Sequence, residues 1–285
     1  MESQSLLHRL SFFEGPVQAR AIDGGMTNQN FRVEEGGRTY FVRFASPLPE
    51  LGIFRANEIL CQRSAAVLGL GPKLLHVEEG VVISEWVEAR SMTKADFERP
   101  ENIKRFAEAL LRLHRGGVRS HGEFIYFSVF QTLLTYRQRA QELGAALPDE
   151  ISDEVEKIIE ASAEVSPFVP TLCHNDLLPA NIMDDGERLW LVDWEYAGFG
   201  NALFDVAAFA ANAELSEANE KRWLEAMRLE GSSKLLADLR LHKGAGLLRE
   251  TLWAFIQSKQ STLDVDYKAY AQQNWQEYQN SKDRA

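Results

Sequence analysis

Residues 171–196 read TLCHNDLLPANIMDDGERLWLVDWEY. His174, Asn175, Asp176, Asn181, Asp193 and Glu195 stand among largely apolar neighbours. An unpaired charge in such surroundings is costly, so these polar groups need a chemical reason. Phosphoryl transfer from ATP supplies one. It requires a group that orients or deprotonates the attacking hydroxyl. It also requires oxygen ligands for Mg2+, a hard cation that prefers carboxylates and amide carbonyls. In the pattern His-x-Asp-x4-Asn, with a second Asp after a strand, Asp176 is the expected base. Asn181 and Asp193 are the expected metal ligands, and the apolar run 189–192 is the strand that would hold Asp193 at a rigid end. Asp184 and Asp185 fall to the hairpin turn around Gly186, and His174 to bracing the loop.

The elements that must position these groups fall into two parts. Up to about residue 86 the chain is β-rich. The run 17–22 leads into DGGMTNQN, and FRVEEGGRTYFVRF reads as a hairpin turning at Gly36 and Gly37. Helical periodicity over 54–68 ends at GLGP (69–72), and two further strands flank a turn at Gly80. Beyond residue 87 the pattern is mainly helical: 103–114, 129–143, 150–163, 216–229, 232–257 and a last helix from about Asp266, with the polar stretch embedded as short strands. The expected fold is α+β and bilobal, with an N-lobe over 1–86, a C-lobe over 87–285 and a cleft where ligands usually bind.

Composition narrows the function. The chain has 285 residues, 45% hydrophobic and 26% charged, which suits a soluble globular protein. A formal net charge of −11 argues against nucleic acid, which calls for a basic face. The two cysteines, Cys61 and Cys173, match neither a zinc site nor a disulfide framework. No signal peptide or bilayer-spanning run is read, so the expected location is cytoplasmic.

CHNDLLPANI followed by LVDWEYAG resembles the catalytic loop and metal motif of the choline/ethanolamine kinase family, of bacterial type. That family sits within the aminoglycoside phosphotransferase group, whose fold is protein-kinase-like. GGMTNQNFRV (24–33) is similar to its phosphate loop, GLGPKLL (69–75) to the segment joining helix and strand, and LWAFIQSKQSTLDVDYKAYAQ (252–272) to its substrate-binding helices. The resemblance implies a protein-kinase-like fold, ATP and Mg2+ as cofactors, and transfer of phosphate to a small cationic amino alcohol, choline first and ethanolamine next. It leaves room for a homodimer.

Gly24 and Gly25 would let backbone amides approach the phosphates, with Thr27 and Asn28 donating from their side chains. Kinases generally pair a strand Lys with a helix Glu; here Arg43 stands at that strand position, as in choline and ethanolamine kinases, and Glu58 is the matching acid. SEWVE (84–88) would be the hinge, with Glu85 and Val87 meeting adenine through backbone groups. A quaternary ammonium is best held by aromatic faces and a nearby negative charge, and the resemblance assigns this to Tyr196, Trp253 and Tyr270, with Tyr267 an equal candidate. Animal enzymes carry a second Trp where this chain has Glu250, and an acid where it has Asn212. Glu250 could restore the negative charge while removing an aromatic wall, which brings ethanolamine close behind choline. Asp205 matches an acid that braces the catalytic loop. The alternatives are a kinase of the same fold acting on thiamine, an aminoglycoside or an amino sugar, and a catalytically dead binding module. The presence of Asp176, Asn181 and Asp193 speaks against the last.

Overall fold

The computed structural model describes residues 7, 10–22, 28–229 and 232–283. Gly24, Gly25 and Thr27, assigned above to the phosphates, lie outside the described residues. The N-terminal part is a five-stranded antiparallel sheet of β1 (Gln18–Ile22), β2 (Gln29–Glu35), β3 (Arg38–Phe44), β4 (Leu74–Glu78) and β5 (Val81–Glu85), ordered β1-β2-β3-β5-β4. Alternation buries Phe31 and Val33 of β2, Tyr40 and Val42 of β3, and Val81 and Ile83 of β5 on one face. The β2–β3 hairpin turns at Gly36 and Gly37, whose φ values of 57° and 79° disfavour a side chain. Helix α1 (Arg55–Val67) ends at Gly69, also left-handed, and the chain returns to the sheet.

The C-terminal part is mostly helical. It contains α2 (Pro100–Gly117), α3 (Val129–Glu142), α4 (Asp149–Ser162), α5 (Ala202–Asn212), α6 (Glu217–Ala226), α7 (Ser233–Gln260) and α8 (Tyr267–Asp283). Between α4 and α5 lie the short strands β7 (Thr171–Cys173), β8 (Ile182–Asp184), β9 (Leu189–Leu191) and β10 (Gly198–Gly200). β7 pairs with β10, while β8 joins β9 and the two-residue β6 (Arg90–Ser91). The protein-kinase-like α+β architecture read from the sequence is the one observed, and the embedded hairpin turns at Gly186 (φ 93°).

Two apolar cores each take in part of the polar stretch. One gathers Phe106 of α2, Phe209 of α5, Trp223 of α6 and Trp194, which follows β9. The other packs α3, α4, α7 and α8 around Tyr136, Leu248, Trp253 and Tyr267. Backbone bonds tie the stretch down: Leu191 N–H donates to Leu70 O (2.6 Å), and Val192 N–H to Asn181 O (3.0 Å). Asp205, fully buried on the first turn of α5, does more. Its carboxylate accepts from the backbone N–H of His174 (3.0 Å) and of Asn175 (2.7 Å) and from His114 Nε2 of α2 (2.9 Å). One acid thus anchors the loop after β7 to two helices.

At the end of α2, Gly117 meets β7 so closely that a Cβ there would lie 2.6 Å from Leu172 Cβ. Gly117→Ala is expected to lower unfolding free energy by about 1–3 kcal/mol through overpacking; an unchanged urea midpoint would show that the strand can give way. Replacing Asp205 by Ala strands two loop N–H groups and should cost about 3 kcal/mol. A loss below about 1 kcal/mol in urea unfolding would show that the loop does not depend on this carboxylate.

Candidate active site

The loop after β7 begins with His174, fully buried, whose Nε2–H donates to Val192 O at 2.9 Å. Burial holds this imidazole below its usual pKa, so it braces the loop as a neutral ring. Asn175 takes a left-handed backbone (φ 64°) and donates through Nδ2 to Tyr196 O (3.0 Å). Asp193, just beyond β9, is left-handed too (φ 66°). Strained backbone at two polar positions on adjacent loops is the kind of cost that structure retains at functional sites.

Asp176 follows directly. Asn181 Nδ2 donates to its carbonyl (2.9 Å) and lies 3.4 Å from its Oδ2. The amide N–H2 of Asn181 is therefore spent on the loop, and its Oδ1 is the atom left to serve a ligand. Burial pushes the Asp176 carboxyl well above its ordinary range. Arg249 opposes that rise, while Glu250, Asp193 and Glu195 add to it.

Across the cleft, Arg43 of β3 donates through NH1 to Glu58 Oε1 of α1 (3.0 Å) and to Asp193 Oδ1 (3.0 Å), and through Nε to Asn30 (3.1 Å). Burial weakens this guanidinium, but Asp193, Glu58 and Glu195 outweigh it and hold the charge firmly in place. Arg55 makes a parallel bridge. Its NH1 reaches Glu58 Oε2 (2.6 Å) and Glu195 Oε2 (3.2 Å), and its NH2 reaches Asn28 Oδ1 (2.8 Å). Asn28 also donates to Glu195 (3.1 Å), so its side chain takes part in this network. The Glu195 carboxyl is pushed up by burial and by Asp193, against Arg43 and Arg55. Farther out, Glu85 closes β5 with its N–H on Lys73 O (3.0 Å) and its carboxylate on Lys73 N–H (2.9 Å). The carbonyl of Val87, two residues on, accepts from Ala89 N–H (3.0 Å).

On the other side of Asp176 stand the terminal helices. Arg249 of α7 donates through NH2 to Asp176 Oδ1 (2.8 Å) and to Glu250 Oε1 (2.7 Å), and through NH1 to Asn175 O (2.5 Å). Glu250 Oε2 accepts from the Tyr270 hydroxyl of α8 (3.0 Å), and the nearby Glu250 carboxylate, with burial, holds that phenol well above its usual pKa. Trp253, one turn beyond Glu250, meets Tyr267 and Tyr270 edge-on at centroid distances of 5.9 and 6.1 Å. Its indole N–H is buried without a partner among the described residues. The Arg249 guanidinium lies 5.0 Å from the centre of the Tyr196 ring. Asn212, at the end of α5, donates to Leu177 O (3.2 Å), beside the same loop.

Asp176, Asn181, Asp193, Arg43, Glu58, Asn28, Tyr196, Glu250, Trp253 and Tyr270 therefore belong to one continuous set of contacts. Three residues of the network, Arg55, Glu195 and Arg249, were given no role by the sequence reading. Arg55 stands three residues before Glu58, the spacing at which helix side chains meet. Glu195 sits two residues after Asp193 in the stretch itself. Arg249 and Glu250 interrupt the otherwise apolar GAGLLRETLWAFI, and a charged pair there signals buried partners. A separate buried group, His114, Cys173 and Asp205, brings its polar atoms within 4.8 Å of one another. Those atoms already serve the loop brace, and burial keeps the Cys173 thiol protonated, so packing accounts for the group.

Comparison with known proteins fits this geometry. Protein LicA of Haemophilus influenzae is 27% identical over 202 residues, covering 68% of this chain and 58% of that protein, less than two thirds of its length. A probable ethanolamine kinase of Arabidopsis thaliana is 24% identical over 297 residues, 92% of this chain and 78% of that one. The crystal structure of a choline/ethanolamine kinase family protein from Mesorhizobium loti superposes with a TM-score of 0.79 at 27% identity, covering 98% of this chain and 93% of the other. A structure of LicA in complex with AMP shares the fold (TM-score 0.76, 22% identity, 98% and 96% covered). The family model of the phosphotransferase enzymes matches residues 18–241, from the first strand through the loop after β7 into α7. On that match the chain belongs to the phosphotransferase enzyme (APH) family, with choline and ethanolamine kinases among its relatives.

Proposed function

We propose that the protein transfers the γ-phosphate of ATP to the hydroxyl of a small cationic amino alcohol, choline or ethanolamine. The observation that carries this reading is the junction of Asp176 with the Tyr196, Trp253 and Tyr270 rings through Arg249 and Glu250. A base for a hydroxyl and a cluster of aromatic faces for an ammonium then lie within one connected group. The net charge of −11 suits a cationic substrate. The free, buried cysteines Cys61 and Cys173 suit the reducing cytoplasm expected from the sequence. Among the described residues no helix is long and apolar enough to cross a membrane.

In this reading the substrate hydroxyl approaches Asp176, which orients it and takes its proton. Asn181 and Asp193 offer the amide and carboxylate oxygens that Mg2+ prefers; with Nδ2 of Asn181 engaged on the loop, its Oδ1 and the partly exposed Asp193 side chain (31%) suit that role. Mg2+ supplies charge neutralisation on the phosphates. Arg43 and Glu58 form the cation–carboxylate pair at the nucleotide end, and the geometry of an Arg fork suits phosphate oxygens. Glu85 and Val87 mark the hinge that would meet adenine. The phosphate roles of Gly24, Gly25, Thr27 and Asn28 remain part of the same proposal.

Two experiments decide it. Purified protein with ATP and Mg2+ should release ADP on addition of choline or ethanolamine. Turnover confined to thiamine, an amino sugar or an aminoglycoside in the same coupled assay would refute the amino-alcohol assignment. Asp176→Asn should lower kcat at least about 100-fold, within the range that general-base catalysis supplies, while ATP affinity by calorimetry stays within about twofold. Near-normal kcat in that variant would remove Asp176 from the base role.

A further inference from the structure

Arg249 has no part in the site as read from the motifs, yet it is the most enclosed cation beside Asp176. Its side chain is 5% exposed. Among the described residues, the polar partners of the Asp176 side chain are Arg249, at Oδ1, and Asn181, at Oδ2. One guanidinium nitrogen, NH2, bonds both Asp176 Oδ1 and Glu250 Oε1, so these two carboxylate oxygens stand within two hydrogen-bond lengths of each other. Two buried carboxylates that close repel strongly without a shared cation. The second terminal nitrogen, NH1, holds the carbonyl of Asn175, the residue just before Asp176. The cation is itself fixed from behind, since Glu250 also accepts from Arg249 Nε (3.0 Å) and is held at its other oxygen by Tyr270. A planar fork with several donors can make all these contacts at once, and an ammonium cannot.

We infer that Arg249 is a positioning residue: it pins Asp176 Oδ1 and the Asn175 carbonyl so that Oδ2, on the Asn181 side, faces the acceptor hydroxyl. Glu250 and Tyr270 are the anchors of that cation, so the substrate end of the site and the base are mechanically one unit. The hydroxyl oxygen forms a bond to the γ-phosphorus, the bond from that phosphorus to the β,γ-bridging oxygen breaks, and ADP departs with the electron pair. The hydroxyl proton passes to Asp176 Oδ2. This inference rests on the phosphotransfer reading above but not on which hydroxyl compound is the acceptor.

The test uses whichever acceptor the wild-type protein turns over. Arg249→Ala should lower kcat about 100-fold, the scale of losing reactive alignment, with KM for ATP within about twofold. Added guanidinium ion should restore part of the lost kcat in a saturable manner, and have no such effect on wild type. Arg249→Lys, which keeps charge and stem, should fall between the two, and it carries the same kinetic comparison if the alanine variant does not fold. Retention of kcat within about threefold in either folded variant, or a loss that guanidinium does not reverse, overturns the assignment. Wild-type turnover of a hydroxyl acceptor other than an amino alcohol refutes the substrate proposal alone, because the Arg249 effect should then appear with that acceptor. A wild-type protein that turns over no acceptor overturns both.

Discussion

Five carboxylates, those of Glu58, Asp176, Asp193, Glu195 and Glu250, surround one cleft, and their mutual repulsion is the constraint that the rest of the site answers. Three arginines answer it, each bridging two acids. Arg43 joins Glu58 to Asp193, Arg55 joins Glu58 to Glu195, and Arg249 joins Asp176 to Glu250. The bridges come from the sheet, the N-terminal helix and the penultimate helix, so the acids are held from three directions. Fewer guanidinium groups than carboxylates leave the site acidic, which suits a divalent cation and an ammonium group. Burial still acts on the acids farthest from full compensation, as the raised carboxyls of Asp176 and Glu195 show.

The backbone makes its own contribution to this arrangement. Asn175 and Asp193 sit in left-handed conformations on neighbouring loops, and such conformations persist only where surrounding contacts over-determine them. For Asn175 the contacts are the Asp205 carboxylate on its N–H, Tyr196 O on its amide and Arg249 on its carbonyl. For Asp193 they are Arg43 on the carboxylate and the strand end behind it. The helical lobe thus acts as a frame in which two short loops are forced into register.

Much of this was legible in the sequence because it depends on local signals. The hairpins at Gly36–Gly37 and Gly186, the helix stop at Gly69 and the order Asp176, Asn181, Asp193 are all set within a few residues. Arg43 and Glu58 could be paired because both stand at positions that the resemblance marks. The partners of Arg249 were not legible. It lies 73 residues from Asp176, and no periodicity says which face of a helix buried all round from Gly244 to Ala254 will meet which loop. The apolar surroundings that should have drawn notice to Arg249 were instead read as the setting for Trp253. Arg55 was missed for a different reason, since an Arg one turn before a Glu on a helix is ordinarily a surface pair of little consequence.

The contact between α7 and the loop after β7 has a consequence for how such proteins can diversify. The two terminal helices carry Trp253, Tyr267 and Tyr270, and on the proposed function they would form a cassette exchangeable to suit a new acceptor. Here they also supply the cation that Asp176 leans on. A cassette from a relative lacking that arginine would leave the Asp176 carboxylate without this counter-ion. Its graft would require a compensating change in the loop, so the terminal helices and the loop after β7 must change together in this chain.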